Sequence, residues 1–205
     1  MNYLIFLRHG QSHWNLENRF TGLEDVALSE NGENEAKIAG KIIKKTNIKF
    51  DIIYTSKLKR AYDTALIALK QMEINFENDN IITSELLNER DYGDLVGLNK
   101  KDTKIKFGEK QVQIWRRSYD IAPPGGESLK NVVSRVEIFN NSFLKKNINE
   151  GNNILIVAHG NSLRAMCVCL NIFKVEQISK IEIPTGTPFL IEFKNKSLIK
   201  YKYLD

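Results

Sequence analysis

Two unbroken apolar runs frame this chain. Tyr3-Leu4-Ile5-Phe6-Leu7 and Ile154-Leu155-Ile156-Val157-Ala158 each end in His-Gly, the first with Arg8 before the histidine. Runs of this length without alternation read as strands buried on both faces of a parallel sheet. Phe50-Asp51-Ile52-Ile53-Tyr54, broken by Thr55-Ser56, reads as a further strand, and Ile81-Ile82-Thr83 as a short one. Between them the spacing changes to that of amphipathic helices. Ser29 opens one, with Ala36, Ala39, Ile42 and Ile43 on its buried side and an end near Lys44 to Asn47. Ser56 is the expected N-cap of the next, which carries Lys57, Lys59 and Arg60. Glu127-Ser128 starts a third, with Leu129, Val132, Val133, Val136 and Phe143 on one face. Gln11 to Leu16 is expected to open a helix whose free N–H groups face His9, and Asn161 to Arg164 to open another after His159. Phe189 to Phe193 and Leu198 to Leu204, joined at Asn195-Lys196, look like a terminal hairpin. Strands separated by helices predict an α/β fold with a mostly parallel sheet.

At 205 residues one domain spanning 1–205 is the expectation, and 42% hydrophobic with 27% charged residues excludes a disordered chain. No apolar run approaches membrane-spanning length, and residues 3–7 are too short for a signal-peptide core, so no membrane role and a cytoplasmic location are expected. Cys167 and Cys169 stand two apart on an expected helix, point to different faces and cannot bridge. A net charge of +5 suits an anionic ligand only weakly. The lysines are scattered or in short pairs without interleaved aromatics, which reads as solvated surface and not as a nucleic-acid face.

Candidate chemistry sharpens the picture. Strand C-termini of an open parallel sheet share the edge where ligands bind. Of three histidines, two end buried strands, so His9 and His159 are expected at one site. Arg60 falls in the first turn of its helix, where acids are normally favoured; a nearby anion would account for it. The Arg116-Arg117 pair suits bidentate recognition of carboxylate or phosphate, although a solvated helix face explains it equally well. Glu89 is one carboxylate among several. Metal binding fits poorly, because the histidines lack helical spacing and no carboxylate or thiol cluster accompanies them; neither a Walker pattern nor GxGxxG is present. Arg8, His9, Arg60, His159 and two candidate helix N-termini make a cationic cup for a tetrahedral dianion. Phosphoryl transfer without a metal needs arginines on the equatorial oxygens and an in-line nucleophile. A neutral imidazole can be that nucleophile, and Arg8 and Arg60 would keep His9 neutral. A proton donor for the leaving oxygen is also needed, which an acid such as Glu89 could supply.

Leu7-Arg8-His9-Gly10, Ala158-His159-Gly160 and Arg60 resemble the signature of the histidine phosphatase superfamily. Further segments resemble its cofactor-dependent phosphoglycerate mutases: Gln11-Ser12 with Trp14-Asn15, Phe20-Thr21-Gly22, Leu87-Asn88-Glu89-Arg90 with Tyr92-Gly93, Gly97 to Lys100, Trp115 to Ser118, His159 to Arg164 and Ile183 to Gly186. This resemblance implies a three-layer α/β/α architecture with helices on both faces of the sheet. It implies His9 as the phosphorylated nucleophile and Glu89 as the general acid/base. Arg8, Arg60 and His159 would hold the transferring phosphoryl group, helped by Asn15 and the Gly160 N–H. Ser12, Thr21, Gly22, Tyr92, Lys100, Arg116, Arg117 and Asn161 would bind the rest of the substrate. The implied reaction interconverts 3-phosphoglycerate and 2-phosphoglycerate through 2,3-bisphosphoglycerate, which primes His9 and needs no metal. The implied partners are small phosphoglycerates and a second copy in a homodimer. Longer family members carry an extra segment where this chain has only Ala122 to Glu127, and they continue past the position of Leu204. An open site admits water, and water turns a mutase into a phosphatase. A phosphomonoesterase on the same scaffold is therefore the alternative, with a non-catalytic phospholigand-binding protein third.

Overall fold

A computed structural model describes residues 1–74 and 81–205. In chain order its elements are β1 (Asn2–Arg8), α1 (His13–Leu16), α2 (Glu30–Lys44), β2 (Ile52–Thr55), α3 (Lys59–Gln71) and β3 (Ile81–Thr83). There follow α4 (Lys100–Phe107), α5 (Glu109–Arg117), α6 (Leu129–Phe139), α7 (Lys145–Glu150), β4 (Ile154–Ala158), α8 (Gly160–Cys169), β5 (Phe189–Lys194) and β6 (Ser197–Tyr203). The strands form one sheet in the order β3-β2-β4-β1-β5-β6. The first four are mutually parallel, and the terminal hairpin adds β5 antiparallel to β1 and β6 antiparallel to β5.

The unbroken apolar runs have a direct cause. Leu4 and Phe6 of β1 and Ile154 and Ile156 of β4 pack against α6 and α8, through Val132, Val136, Phe139, Leu163 and Met166. Their neighbours Ile5, Leu7, Leu155 and Val157 pack on the other face against Ala39 and Ile43 of α2 and Ala65 and Ala68 of α3. Both strand faces are covered, so both alternating sets must be apolar. The α/β/α layering and mostly parallel sheet follow. Among the described residues no helix is long and apolar enough to cross a membrane. Cys167 is buried and Cys169 half-buried, both as free thiols.

Local signals mostly operate as read. Ser29 caps α2 by accepting from Gly32 N–H at 3.1 Å, and Ser128 forms a capping box with Asn131 at the start of α6. Asn195 and Lys196 both adopt positive φ, as a tight two-residue hairpin turn demands. Several expectations need correcting. Ser56 does not cap α3; its cap residue is Leu58, without a side-chain bond, and the end of the helix is served by the Asp25 carboxylate, 2.6 Å from the Lys59 N–H. The strand read at 50–54 begins at Ile52 and includes Thr55. The helix expected over 11–16 is a single turn, α1, capped by Ser12. Phe143 is 45% exposed, because Asn140 to Leu144 form a π-helical turn after α6. Buried positions then run Val132, Val136, Phe139, Leu144, Ile148. The five-residue step is the one extra residue of the π-turn, and it rotates Phe143 off the core face.

Candidate active site

β1 and β4 are neighbours in register, with Arg8 opposite Ala158, so the residues that follow them emerge side by side at the C-terminal edge of the sheet. The His9 N–H extends the ladder by donating to the Ala158 carbonyl at 3.0 Å. The two imidazole centroids consequently lie 4.9 Å apart. His9 is 2% exposed, and its Nδ1 is 2.6 Å from its neighbour Gly10's carbonyl oxygen. A carbonyl can only accept, so Nδ1 carries the hydrogen and the neutral ring presents its lone pair at Nε2. Gly10 is required here: a Cβ would lie 2.1 Å from the Gly32 carbonyl oxygen. His159 is fully buried, and its Nε2 shares a 2.7 Å hydrogen bond with Ser56 Oγ. Ser56 Oγ makes that contact while also accepting from the N–H of Leu58, the residue just before α3, at 3.2 Å.

Burial, then the charges of Arg60 and Arg8, hold His9 well below the ordinary imidazole range, against the opposing pull of the Gly10 carbonyl. His159 is lowered by burial, then by Arg60, His9, Arg8 and Arg135. Both rings are therefore neutral at pH 7, the state nucleophilic attack requires. Stability should follow. In the unfolded chain these imidazoles titrate at about 6.5, so below that pH the unfolded state binds more protons than the native one. Their contribution is complete above about pH 6.5 and is lost as pH falls toward the depressed native values. The thermal unfolding midpoint should fall between about pH 7 and pH 5, with a shallower slope in His159→Asn. Calorimetry across that range checks it, and identical slopes would refute it.

The guanidinium groups are set by backbone carbonyls. Arg60, 1% exposed, donates to the carbonyls of Gly22 and Glu24 at 2.8 and 2.7 Å. Burial pushes it down to about 10, which still leaves it charged at neutral pH. Arg8 donates to the Ile183 carbonyl at 2.8 Å and lies against Gly160, where a Cβ would be 3.4 Å from its Cζ. The Arg8 Nε and Thr21 Oγ1 are buried without a hydrogen-bond partner among the described residues. Orphaned donors of this kind are costly unless an anionic ligand takes them.

Across the cavity stands Glu89, 9% exposed, whose Oε1 accepts from the N–H groups of Arg90 at 2.8 Å and Asn161 at 3.2 Å. Buried Arg90 donates to the carbonyls of Trp115, Arg116 and Glu127, tying the end of α5 to the segment that carries Glu89. Arg116 and Arg117 occupy the last turn of α5, a position that suits cations, and both line the cavity. Lys100 Nζ lies 5.7 Å from the Phe20 ring centroid. Burial, then Arg116 and Arg8, bring that ammonium down to about 8.

Arg8, His9, Thr21, Arg60, Glu89 and Lys100 line the same cavity as Arg116 and Arg117, and its wall also holds Asn15, Gly22, Tyr92, Gly160 and Asn161. Two expected residues are not part of it. His159 stands behind His9, and Ser12 is fully buried, exchanging hydrogen bonds with Asn15 at 3.2 Å and so orienting that side chain. Arg19, Phe20, Arg164 and Glu182 also line the cavity; Phe20 and Arg164 fall in segments quoted for the family resemblance but were given no role there, and Arg19 and Glu182 were not named. Arg164 is the fifth residue of α8, past its first turn, so only its place in the His159 to Arg164 segment signalled it. For Glu182 there was no signal. The cavity volume is about 110 Å³. Drug-sized ligands occupy roughly 300–1,000 Å³, so this space suits a three-carbon phosphoester. Its donor set, with the orphaned Arg8 Nε and Thr21 Oγ1, fits a small polyanion such as a bisphosphoglycerate.

A family model described as the histidine phosphatase superfamily (branch 1) matches residues 4–202. The chain is 49% identical over 200 residues to a 2,3-bisphosphoglycerate-dependent phosphoglycerate mutase of Bartonella henselae, covering 97% of this chain and 96% of the relative. It is 51% identical over 189 residues to a phosphoglycerate mutase of Schizosaccharomyces pombe, covering 92% of this chain and 89% of that one. Among solved structures it is similar to a mycobacterial glucosyl-3-phosphoglycerate phosphatase at 25% identity, with a TM-score of 0.80 over 100% of this chain and 97% of the other.

Proposed function

The chain belongs to the histidine phosphatase superfamily, and from that premise we infer that its cavity interconverts 3-phosphoglycerate and 2-phosphoglycerate through a phosphohistidine. One observation carries this reading. A nucleophile with its tautomer pinned by Gly10 shares a single small cavity with Glu89 and with two sets of anion-binding groups, Arg8 and Arg60 on one side and Lys100, Arg116 and Arg117 on the other. Removing phosphate from a simple monoester needs only the first set. Moving it between two oxygens of one small acid needs the second, to hold the carbon skeleton while the phosphoryl group is on the protein.

Bound 2,3-bisphosphoglycerate supplies the phosphoryl group that primes the imidazole. His9 Nε2 accepts that group with its lone pair, while Nδ1–H stays on the Gly10 carbonyl and keeps the ring from turning. Arg8 and Arg60 offset charge on the phosphoryl oxygens, assisted by Asn15 and the Gly160 N–H. Glu89 gives a proton to the oxygen that leaves and takes one from the oxygen that attacks. Thr21, Gly22, Tyr92 and Asn161 hold the substrate's remaining polar groups beside Lys100, Arg116 and Arg117. His159 shields and orients His9 from behind, and Ser12 sets Asn15. The unbridged thiols fit a reducing cytoplasmic compartment, and a homodimer acting on free phosphoglycerates completes the reading.

An enolase-coupled assay on 3-phosphoglycerate with chelator present, run with and without trace 2,3-bisphosphoglycerate, tests it while free phosphate is followed. Primed formation of 2-phosphoglycerate with little phosphate release is expected. Phosphate release without isomerisation would move the chain to a phosphomonoesterase. Arg117→Ala sharpens the distinction. Loss of one charge-assisted contact should lower kcat/KM for isomerisation about 10- to 100-fold, while p-nitrophenyl phosphate hydrolysis changes little. Equal losses on both substrates would place Arg117 outside substrate recognition.

A further inference from the structure

Between α8 and β5 the segment Ile178 to Ile183 brings Glu182 to the cavity wall and is held by arginines. Arg164 donates to the carbonyls of Ile178 and Ile181 at 3.3 and 3.1 Å, Arg117 to that of Ser179 at 3.1 Å, and Arg8 to that of Ile183 at 2.8 Å. Ile178 and Ile183 are buried, which fixes both ends. Glu182 sits between these anchors at the cavity wall, its side chain 62% exposed, and forms an ion pair with Arg117. Burial pushes the Glu182 carboxyl up, but the hydrogen bond and charge of Arg117, with Arg164 and Arg8, outweigh this and hold it below its usual range. It is therefore an anion placed beside Arg117, on the anion-binding side of the cavity.

A substrate reaching Arg117 meets a guanidinium already engaged by one carboxylate and one carbonyl, with a like charge beside it. We propose that Glu182 is a resident carboxylate on Arg117 that competes with the far anionic group of a two-ended substrate and must be displaced when that substrate binds. This rests on the phosphoglycerate reading above. A ligand with a single anionic group, held at His9, leaves the Arg117–Glu182 pair intact and gains nothing from Arg117. A two-ended ligand takes over Arg117 and releases Glu182, whose exposure lets it turn into water at little cost. The pair thus weakens binding of every ligand that spans the cavity, and only ligands able to replace it regain the loss.

Glu182→Gln keeps the shape and removes the charge. Exposed ion pairs are worth little individually, so KM for 3-phosphoglycerate should fall about threefold. The inhibition constant of orthovanadate, which adds the nucleophile as a further ligand at His9, should stay within experimental error. An equal fall for both would mean that Glu182 acts only through its general field, and an unchanged or raised KM would make it a positioning residue for Arg117; either overturns the proposal. A gain in affinity cannot arise from misfolding. The wild-type chain assayed in parallel keeps the two questions apart: absence of primed isomerisation there would reject the phosphoglycerate reading itself.

Discussion

His9→Ala should abolish primed isomerisation and phosphate release together, lowering kcat/KM by roughly 10⁴-fold or more. In the proposed mechanism both reactions pass through the same bond from phosphorus to Nε2, so no arrangement of the remaining groups restores one without the other. His159 cannot take over. Its Nε2 is engaged with Ser56 and the ring is fully buried. The variant should still fold, since alanine leaves the His9 N–H free to donate to Ala158 and removes a buried group that resists protonation. Rapid quenching after mixing with labelled 2,3-bisphosphoglycerate reads the result, as acid-labile phosphate on the wild-type protein and none on the variant. Labelled variant protein would assign the nucleophile to another residue.

The second large effect belongs to Glu89. Glu89→Gln keeps an oxygen to accept from the N–H groups of Arg90 and Asn161, so the loop should hold its place. The ability to give and take a proton is lost, and general acid–base catalysis of this kind contributes roughly 10²- to 10⁴-fold. Isomerisation should fall by that factor, because the glycerate alkoxide is a poor leaving group. Transfer to His9 from p-nitrophenyl phosphate, whose leaving group needs no proton, should fall far less. Comparing the two rates in one preparation separates proton transfer from binding, and parallel losses would recast Glu89 as a structural acceptor.

The features legible in the sequence are those that one strand or one helix decides alone. Covering both faces of β1 and β4 forces continuous apolar runs, and those runs end where ligands bind, so His9 and His159 could be paired before any coordinates existed. Ser29 and Ser128 cap their helices by local hydrogen bonds, and local signals sufficed. Ser56 shows the limit. Its hydroxyl had a better use in a contact 103 positions away, with His159, and nothing near it in sequence reports that. Phe143 fails for a different reason: one residue inserted by a π-turn shifts every later position, and a fixed period of 3.6 cannot anticipate it. The site divides the same way. Arg8 and Arg60 were readable because strand ends and first turns have defined positions. Glu182 was not, because it lies on an irregular segment whose course is set by arginines from three other parts of the chain. Ser12 and His159 were assigned through resemblance to roles at the substrate; both are fully buried, Ser12 bonded to Asn15 and His159 bonded to Ser56 with its ring centroid 4.9 Å from that of His9.

The position of β4 bears on how the protein is made. It is fourth in the chain, yet it lies between β2 and β1, which do not touch each other. While the chain is still emerging from a ribosome, β1 has neither neighbour, since β4 and β5 are both still to come, and β2 has only the three residues of β3. The apolar strands of the first half therefore remain without a sheet until the second half has been synthesised. Closing the sheet joins segments far apart in sequence, a slow step for any chain. Exposure to aggregation and to chaperones is greatest during synthesis and ends abruptly when β4 slots in. Because His9 and His159 meet only then, no nascent chain short of β4 can hold a working site.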